Sequence, residues 1–408
     1  MLHQAAALGS AERSANGPVV LVGFAEAYAA IEATWSLREA GFRVAAFTRI
    51  GARPALKHVR NVRIFEVFPP ELDAKRTTDD VRALIRSLSP DAYLPLDDAA
   101  VWIGGKLSDE SVTVAGPRGQ SATDSLDKEL QLARAGDAGL LIPSTQVVSS
   151  LRDVRPTGYP VVVKPARALY SVDGHLVRVA PRVCADESEF LRVSSRPTYG
   201  NVLIQPFIRG QGEGLFGHVS RTGVVGWSAH RRIRMLNPQG SASSACSSRT
   251  VDEGLLGPAE RFLRKMGWRG LFMLEFLRDA QDRPWFMELN GRTWGSMALA
   301  RRRGFEYPAW TVRAALDEDF SPEIPADPPD IFCRNLGMEI VHLAFVLRGP
   351  GSAALSDWPR LLPTVRRLLH VSRKDRFYNW KWSEPGVLAA DTAKTLTTYL
   401  HRAFRPAG

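Results

Sequence analysis

Glu288, Asn290 and Arg292 recur at every second position of the apolar stretch "PWFMELNGRTWGS", residues 284–296, before a glycine-broken turn. In a strand, alternate side chains share a face, so Glu288 and Asn290 point one way and Trp285, Met287 and Leu289 the other, into the core. Glu275 lies thirteen positions earlier in the equally apolar "FMLEF". A buried carboxylate is expensive unless it is paired or bound to a metal. Two carboxylates and an amide oxygen form a hard-oxygen set suited to Mg²⁺, which is usually shared with substrate phosphates. Arg292 can offset negative charge on a transferring phosphoryl group or an acyl oxygen.

Lys164 ends the valine strand "YPVVVKPA". It reads equally as a snorkelling edge residue and as a buried phosphate contact. Lys128, in "DSLDKELQLA", reads by itself as a surface lysine on a helix. "AHRRIRMLNPQGSASS", residues 229–244, is a basic strand in which alternation puts Arg232 and Arg234 on one face and Arg231 on the other. Cys184, Cys246 and Cys333 are far apart in sequence and fit no zinc or disulfide pattern, which suits a reducing cytoplasm.

The elements that must position these groups follow from periodicity. "VVLVGF", "AEAYAAIEATWSLREAG" and "FRVAAFT" form a β-α-β unit, so a parallel sheet is expected. Only Gly23 stands in its first turn, which is a poor dinucleotide fingerprint. "VRIFEVF", a helix from "TTDDVRALIRSLSP" capped by Thr77 or Thr78, and "DAYLPLDD" continue the unit. Asp97 and Asp98 stand at the carboxyl end of that strand, where ligands bind in open sheets; a helix cap is an equal reading. Short strands fill residues 158–235, a helix follows, and "LFMLEFLRD" and "PWFMELN" pair as a hairpin about "DAQDRP". From about residue 313 the pattern is mostly helical, after a boundary near 118 in "VAGPRGQSATDS".

The 408 residues allow more than one domain. No apolar run reaches bilayer length. Residues 1–16 lack a basic start and an apolar core, and read as a flexible lead-in rather than a signal peptide. Net charge is +10, yet only nine of the 53 basic residues are lysines and no recognition motif accompanies them. Nucleic-acid and membrane partners are not expected; attraction of anionic substrates is.

The order Lys128, Lys164, "VLIQPFIRGQGEG", Glu275 and "MELNGR" resembles the ATP-grasp superfamily of carboxylate–amine (or thiol) ligases, including the carbamoyl-phosphate-synthase-like ATP-binding domains, over residues 18–312. The resemblance implies a pre-ATP-grasp α/β domain (17–118), an ATP-grasp domain (119–312) and a mostly helical C-terminal region (313–408). It also implies ATP and Mg²⁺ (or Mn²⁺) and an acyl-phosphate intermediate attacked by an amine or similar nucleophile. Lys128 and Lys164 would contact the phosphates. Gln205, Pro206, Phe207 and Ile208 would form the adenine hinge, and Glu213 would reach the ribose or the substrate. Glu275, Glu288 and Asn290 would hold the metal. Arg292, with Arg232 and Arg234, would steady the transferring group. A small-molecule carboxylate and an amine are the implied partners; a homodimer stays open, as does an ATP-binding sensor or regulator without ligase activity. The chain departs from the family after Lys164, where "ARALYSVDGH" has one glycine, Gly174, in place of several, and at Met235, Gly240 and Ser241.

Overall fold

The computed structural model describes residues 17–404 apart from 239, 241 and 351–357. The expected lead-in, residues 1–16, and Ser241 lie outside the described residues. Five parallel strands form the front sheet: β1 (Val19–Gly23), β2 (Arg43–Arg49), β3 (Val62–Val67), β4 (Ala92–Pro95) and β5 (Thr113–Val114), in the order β3-β2-β1-β4-β5. Central positions such as Val20, Leu21, Ala46 and Phe47 are fully buried under helices on both faces, the rule for parallel sheets. The helix Ala74–Leu88 is capped by Asp73, which accepts from Arg76 N at 2.9 Å. It therefore starts before Thr77 and Thr78, whose hydroxyls bond back to the carbonyls of Asp73 and Ala74.

A four-stranded lobe follows, with β6 (Gln146–Val148), β7 (Val161–Pro165), β10 (Arg182–Cys184) and β11 (Val202–Pro206) in the order β10-β7-β11-β6. Between β7 and β10 a separate hairpin pairs β8 (Tyr170–Val172) with β9 (His175–Val177). Asp173 and Gly174 both have positive φ, 47° and 81°, the signature of a tight Asp-Gly hairpin turn. The segment with one glycine is thus an ordered hairpin rather than an open loop.

The large sheet has the order β16-β15-β12-β13-β14-β17-β18, built from β12 (Gln211–Val219), β13 (Val224–Met235), β14 (Ser243–Arg249), β15 (Gly270–Arg278), β16 (Pro284–Asn290), β17 (Phe332–Arg334) and β18 (Asp375–Phe377). The C-terminal region is largely helical, through Leu336–Arg348, Leu361–Leu369 and Gly386–Phe404, and also supplies β17 and β18. This brings Cys246 and Cys333 directly opposite one another on β14 and β17; all three cysteines are buried and free.

Two irregularities set which side chains meet. Glu275 pairs with Glu288 but Phe276 pairs with Phe286, so Met287 is an extra residue in β16. Such a bulge reverses the alternation beyond it. Phe286 and Leu289, not Trp285, therefore enter the core, and Phe286 packs against Phe262 and Phe276. Likewise Arg232 pairs with Cys246 and Arg234 with Ala245, leaving Ile233 extra in β13.

Candidate active site

The cross-strand register places Glu288, Glu275, Gly214 and His230 in one row. Directly opposed residues share a face, so both carboxylates look out from the same side of the sheet. Arg232, two residues past His230, passes over Gly212, where a Cβ would meet its Cδ at 2.6 Å. Its guanidinium reaches Glu275 Oε2 at 2.6 Å. His230 turns into the space left by Gly214; burial, then the charge of Arg232, lowers its imidazole to about 3, so it is neutral.

Lys128 Nζ lies 2.6 Å from Glu288 Oε2. Its helix, Lys128–Asp137, is capped by Asp127, which accepts from Leu130 N at 3.0 Å. Gln131 fastens the same helix to β16 by accepting from Leu289 N at 2.8 Å. Lys128 N donates to Ala166 O at 2.7 Å, so the helix start is also tied to the strand that carries Lys164. Lys164 is buried and makes no ion pair among the described residues. Burial, then the like charge of Lys128, brings its ammonium down to about 8 against the pull of Glu288 and Glu275. Burial would raise the Glu288 carboxyl, but Lys128, Lys164 and Arg292 outweigh it and hold it down to about 2.

Asn290 lies beside Glu288, its amide nitrogen 3.5 Å from Oε1. Gly291 makes the turn after it, because a Cβ there would sit 2.4 Å from the Trp268 ring. That close approach delivers Arg292 to Asp98, Nε to Oδ1, at 2.8 Å. Arg178, just past the hairpin, pairs with the same carboxylate. Asp97 caps the helix Asp98–Gly104 by accepting from Ala100 N at 2.8 Å. Of the two acids at the end of β4, one is therefore a cap and the other joins the front domain to the site. Lys128, Arg178, Glu288, Asn290, Arg292 and Asp98 line one cavity of about 350 Å³.

Two expected residues sit elsewhere. Glu213 pairs with Phe276, one position out of step with Glu275, so it faces the opposite side of the sheet. There it is buried and held by Arg278 at 2.9 Å and by Arg249. Arg234 is carried to that same opposite side by the bulge at Ile233, and binds Glu339 through Nε and a terminal nitrogen, each at 2.7 Å. Neither can serve the row of carboxylates. Phe207 N donates to Pro160 O at 3.0 Å, so this hinge amide is occupied. Gln205 donates to Thr145 Oγ1 at 2.7 Å, while Pro206 and Ile208 lie where β11 leads towards the large sheet.

The sequence reading missed Arg178, Asp98 as the partner of Arg292, and the latch on the hairpin. Leu176 is buried in the front-domain core, its N–H donates to Pro70 O at 2.8 Å, and Ala74 N donates to Gly174 O at 2.8 Å. The Asp-Gly pair between "YSV" and "HLV" is the local signal for a hairpin; nothing local marks its docking.

The donor set fits a hard divalent cation. One carboxyl is strongly ionised, the second stands opposite it, and both are now neutralised by flexible cationic side chains. Among the described residues no cluster of three or more His, Cys, Asp or Glu suits a metal. A cation held by two carboxylates and an amide oxygen would keep open positions for other oxygen ligands.

No protein-family profile matches the sequence. Solved structures do match in shape. An L-amino acid ligase from Bacillus licheniformis is 17% identical, with a TM-score of 0.57, over 74% of each chain. The purK N5-carboxyaminoimidazole ribonucleotide synthetase, solved as an ADP complex, is 13% identical, with a TM-score of 0.61, over 82% of this chain and 84% of its own. The biotin carboxylase domain of Hydrogenobacter thermophilus 2-oxoglutarate carboxylase, solved with MgADP and bicarbonate, is 15% identical, with a TM-score of 0.60, over 78% and 73%.

Proposed function

We propose, from the premise that this chain has the ATP-grasp fold behind a small parallel α/β domain, that it is an ATP- and Mg²⁺-dependent ligase. It would activate a small-molecule carboxylate as an acyl phosphate, forming ADP, for attack by an amine or similar nucleophile. The observation that carries this reading is the row in which Glu288 and Glu275 face each other with Lys128 and Arg232 on their oxygens and Lys164 nearby. A protein of this kind would work in the cytoplasm; among the described residues no helix is long and apolar enough to cross a membrane.

Glu275, Glu288 and Asn290 would hold Mg²⁺ (or Mn²⁺), which when bound neutralises charge on the transferring phosphoryl group. Lys128 and Arg232 would then exchange their carboxylate partners for phosphate oxygens. Lys164, without an ion pair of its own, is already poised for an anion. Residues 205–208 would border the adenine. Arg292 and Arg178, both on Asp98, would orient the substrate carboxylate between the metal edge and the front domain; this is electrostatic positioning rather than acid–base catalysis. We take residues 17–118, 119–312 and 313–408 as the three parts. The biotin carboxylase relative was solved as a dimer, and a homodimer is proposed here on that likeness alone.

The test is incubation with ATP, Mg²⁺ and pooled amino acids and carboxylic acids, following ADP against AMP and the masses of new amides. Glu288→Gln abolishes turnover if the reading is right. A second reading, nucleotide binding without ligation, is favoured by the latched hairpin that replaces a glycine-rich loop. ADP release that depends on an added carboxylate separates the two.

A further inference from the structure

A second concavity lies on the other side of the large sheet, the side to which the bulge at Ile233 turns Arg234. Its volume is about 960 Å³, at the upper end for sites that hold small molecules. Its floor is a cross-strand row: Arg231 opposes Ser247, Ser247 opposes Phe332, and Phe332 pairs with Asp375. Its other wall is the helix Leu361–Leu369 and the turn after it, which present Arg366, Arg367 and Lys374.

The charges around it do not balance. Arg234 is satisfied by Glu339 and Asp375 by Arg334. Arg231 donates only to the Ser247 hydroxyl, at 3.2 Å. The guanidinium groups of Arg366 and Arg367 and the ammonium of Lys374 make no hydrogen bond or ion pair among the described residues. Four cations thus surround one hollow; among the described residues Asp330, held by Ser248 Oγ at 3.2 Å, lines it without an ion pair, although Arg303 lies within its field. Like charges gathered around a concavity repel unless an anion enters, and arginine forks match phosphate oxygens in pairs.

We propose that this groove binds an organic phosphate carrying at least two negative charges, at a site separate from the nucleotide edge. The cations sit on two facing walls, the sheet and the helix, so a ligand between them is gripped from both sides. Asp330 interrupts the basic rim, which a compact ligand tolerates and a long polyanion would have to cross. Asp330 offers an acceptor for a ligand hydroxyl. The site does not depend on the ligase reading, because Glu275 and Glu288 face the other side of the sheet.

Calorimetric titration of the full-length Lys164→Met variant with inorganic pyrophosphate, without divalent cations, reads this groove apart from the nucleotide edge. One saturable site is expected. Its Kd should rise at least about tenfold when Arg366→Glu and Arg367→Glu are added, with an unchanged thermal midpoint because both side chains are exposed. Should that combination fail to fold, Arg231→Gln reads the opposite wall and should also weaken binding. Unchanged affinity in these variants, or no saturable binding, overturns the proposal. So does a duplex oligonucleotide that binds the same residues more tightly than pyrophosphate does.

Discussion

Replacing Lys164 with methionine should make the nucleotide-free protein more stable while destroying its affinity for ATP. Lys164 is 9% exposed, and burial with the nearby Lys128 brings its ammonium from an ordinary 10.5 to about 8. At about 1.4 kcal/mol per pH unit, the difference amounts to roughly 3 kcal/mol by which folding opposes the protonated form. The folded value lies below the unfolded one. The penalty is therefore complete below pH 8, fades as pH rises from 8 towards 10.5, and is gone above that. Methionine keeps the volume of the side chain and drops the charge. Lys164→Met should thus exceed the wild type in stability at pH 7 by up to about 3 kcal/mol, with the advantage vanishing near pH 10.5. Paired thermal or denaturant unfolding at pH 7 and pH 10 measures this. Nucleotide affinity of the wild type should fall as pH rises above 8, because the triphosphate needs the proton that Lys164 is losing. A variant less stable than the wild type at pH 7, or a stability difference that is the same at pH 7 and pH 10, refutes the argument that Lys164 is an unpaired, desolvated cation.

Further outcomes follow from the same geometry. Glu288→Gln should reduce carboxylate-dependent phosphate release at least about a hundredfold while the chain still unfolds cooperatively, since it removes an anion from the row of opposed carboxylates and keeps the side-chain shape; coupled phosphate assays with parallel circular dichroism read both. Glu213→Ala should destabilise by about 3–5 kcal/mol, because Arg278 and Arg249 lose a buried partner, and should leave KM for ATP unchanged; a large rise in KM with normal stability would restore a nucleotide role for this acid. Leu176→Ala should loosen the hairpin, seen as faster amide exchange over residues 170–177, and raise KM for ATP more than it alters kcat.

The opposed carboxylates were legible because both strands are long, apolar and joined by a short turn rich in Asp. Local pattern fixed the hairpin, and the hairpin fixed Glu275 against Glu288. What failed was strict alternation carried too far. One extra residue at Met287 sends Phe286 rather than Trp285 inward, and one at Ile233 parts Arg234 from Arg232. Nothing local distinguishes a bulged residue from its neighbours; the register comes from the partner strand. The face of Glu213 is likewise set from afar, by pairing with Phe276, sixty-three residues away in sequence. The Asp98–Arg292 bond spans 194 residues and belongs wholly to tertiary structure. Strands as short as β17 and β18, three residues each, carry too few positions for any period to register.

The hairpin between β7 and β10 carries a mechanical consequence. Any outward swing must draw Leu176 out of the front-domain core and part Arg178 from Asp98 in the same movement. That movement also strips one cation from the cavity that Arg178 and Asp98 line. Hairpin and chamber are thus mechanically joined, because Leu176 and Arg178 stand two residues apart on one ribbon.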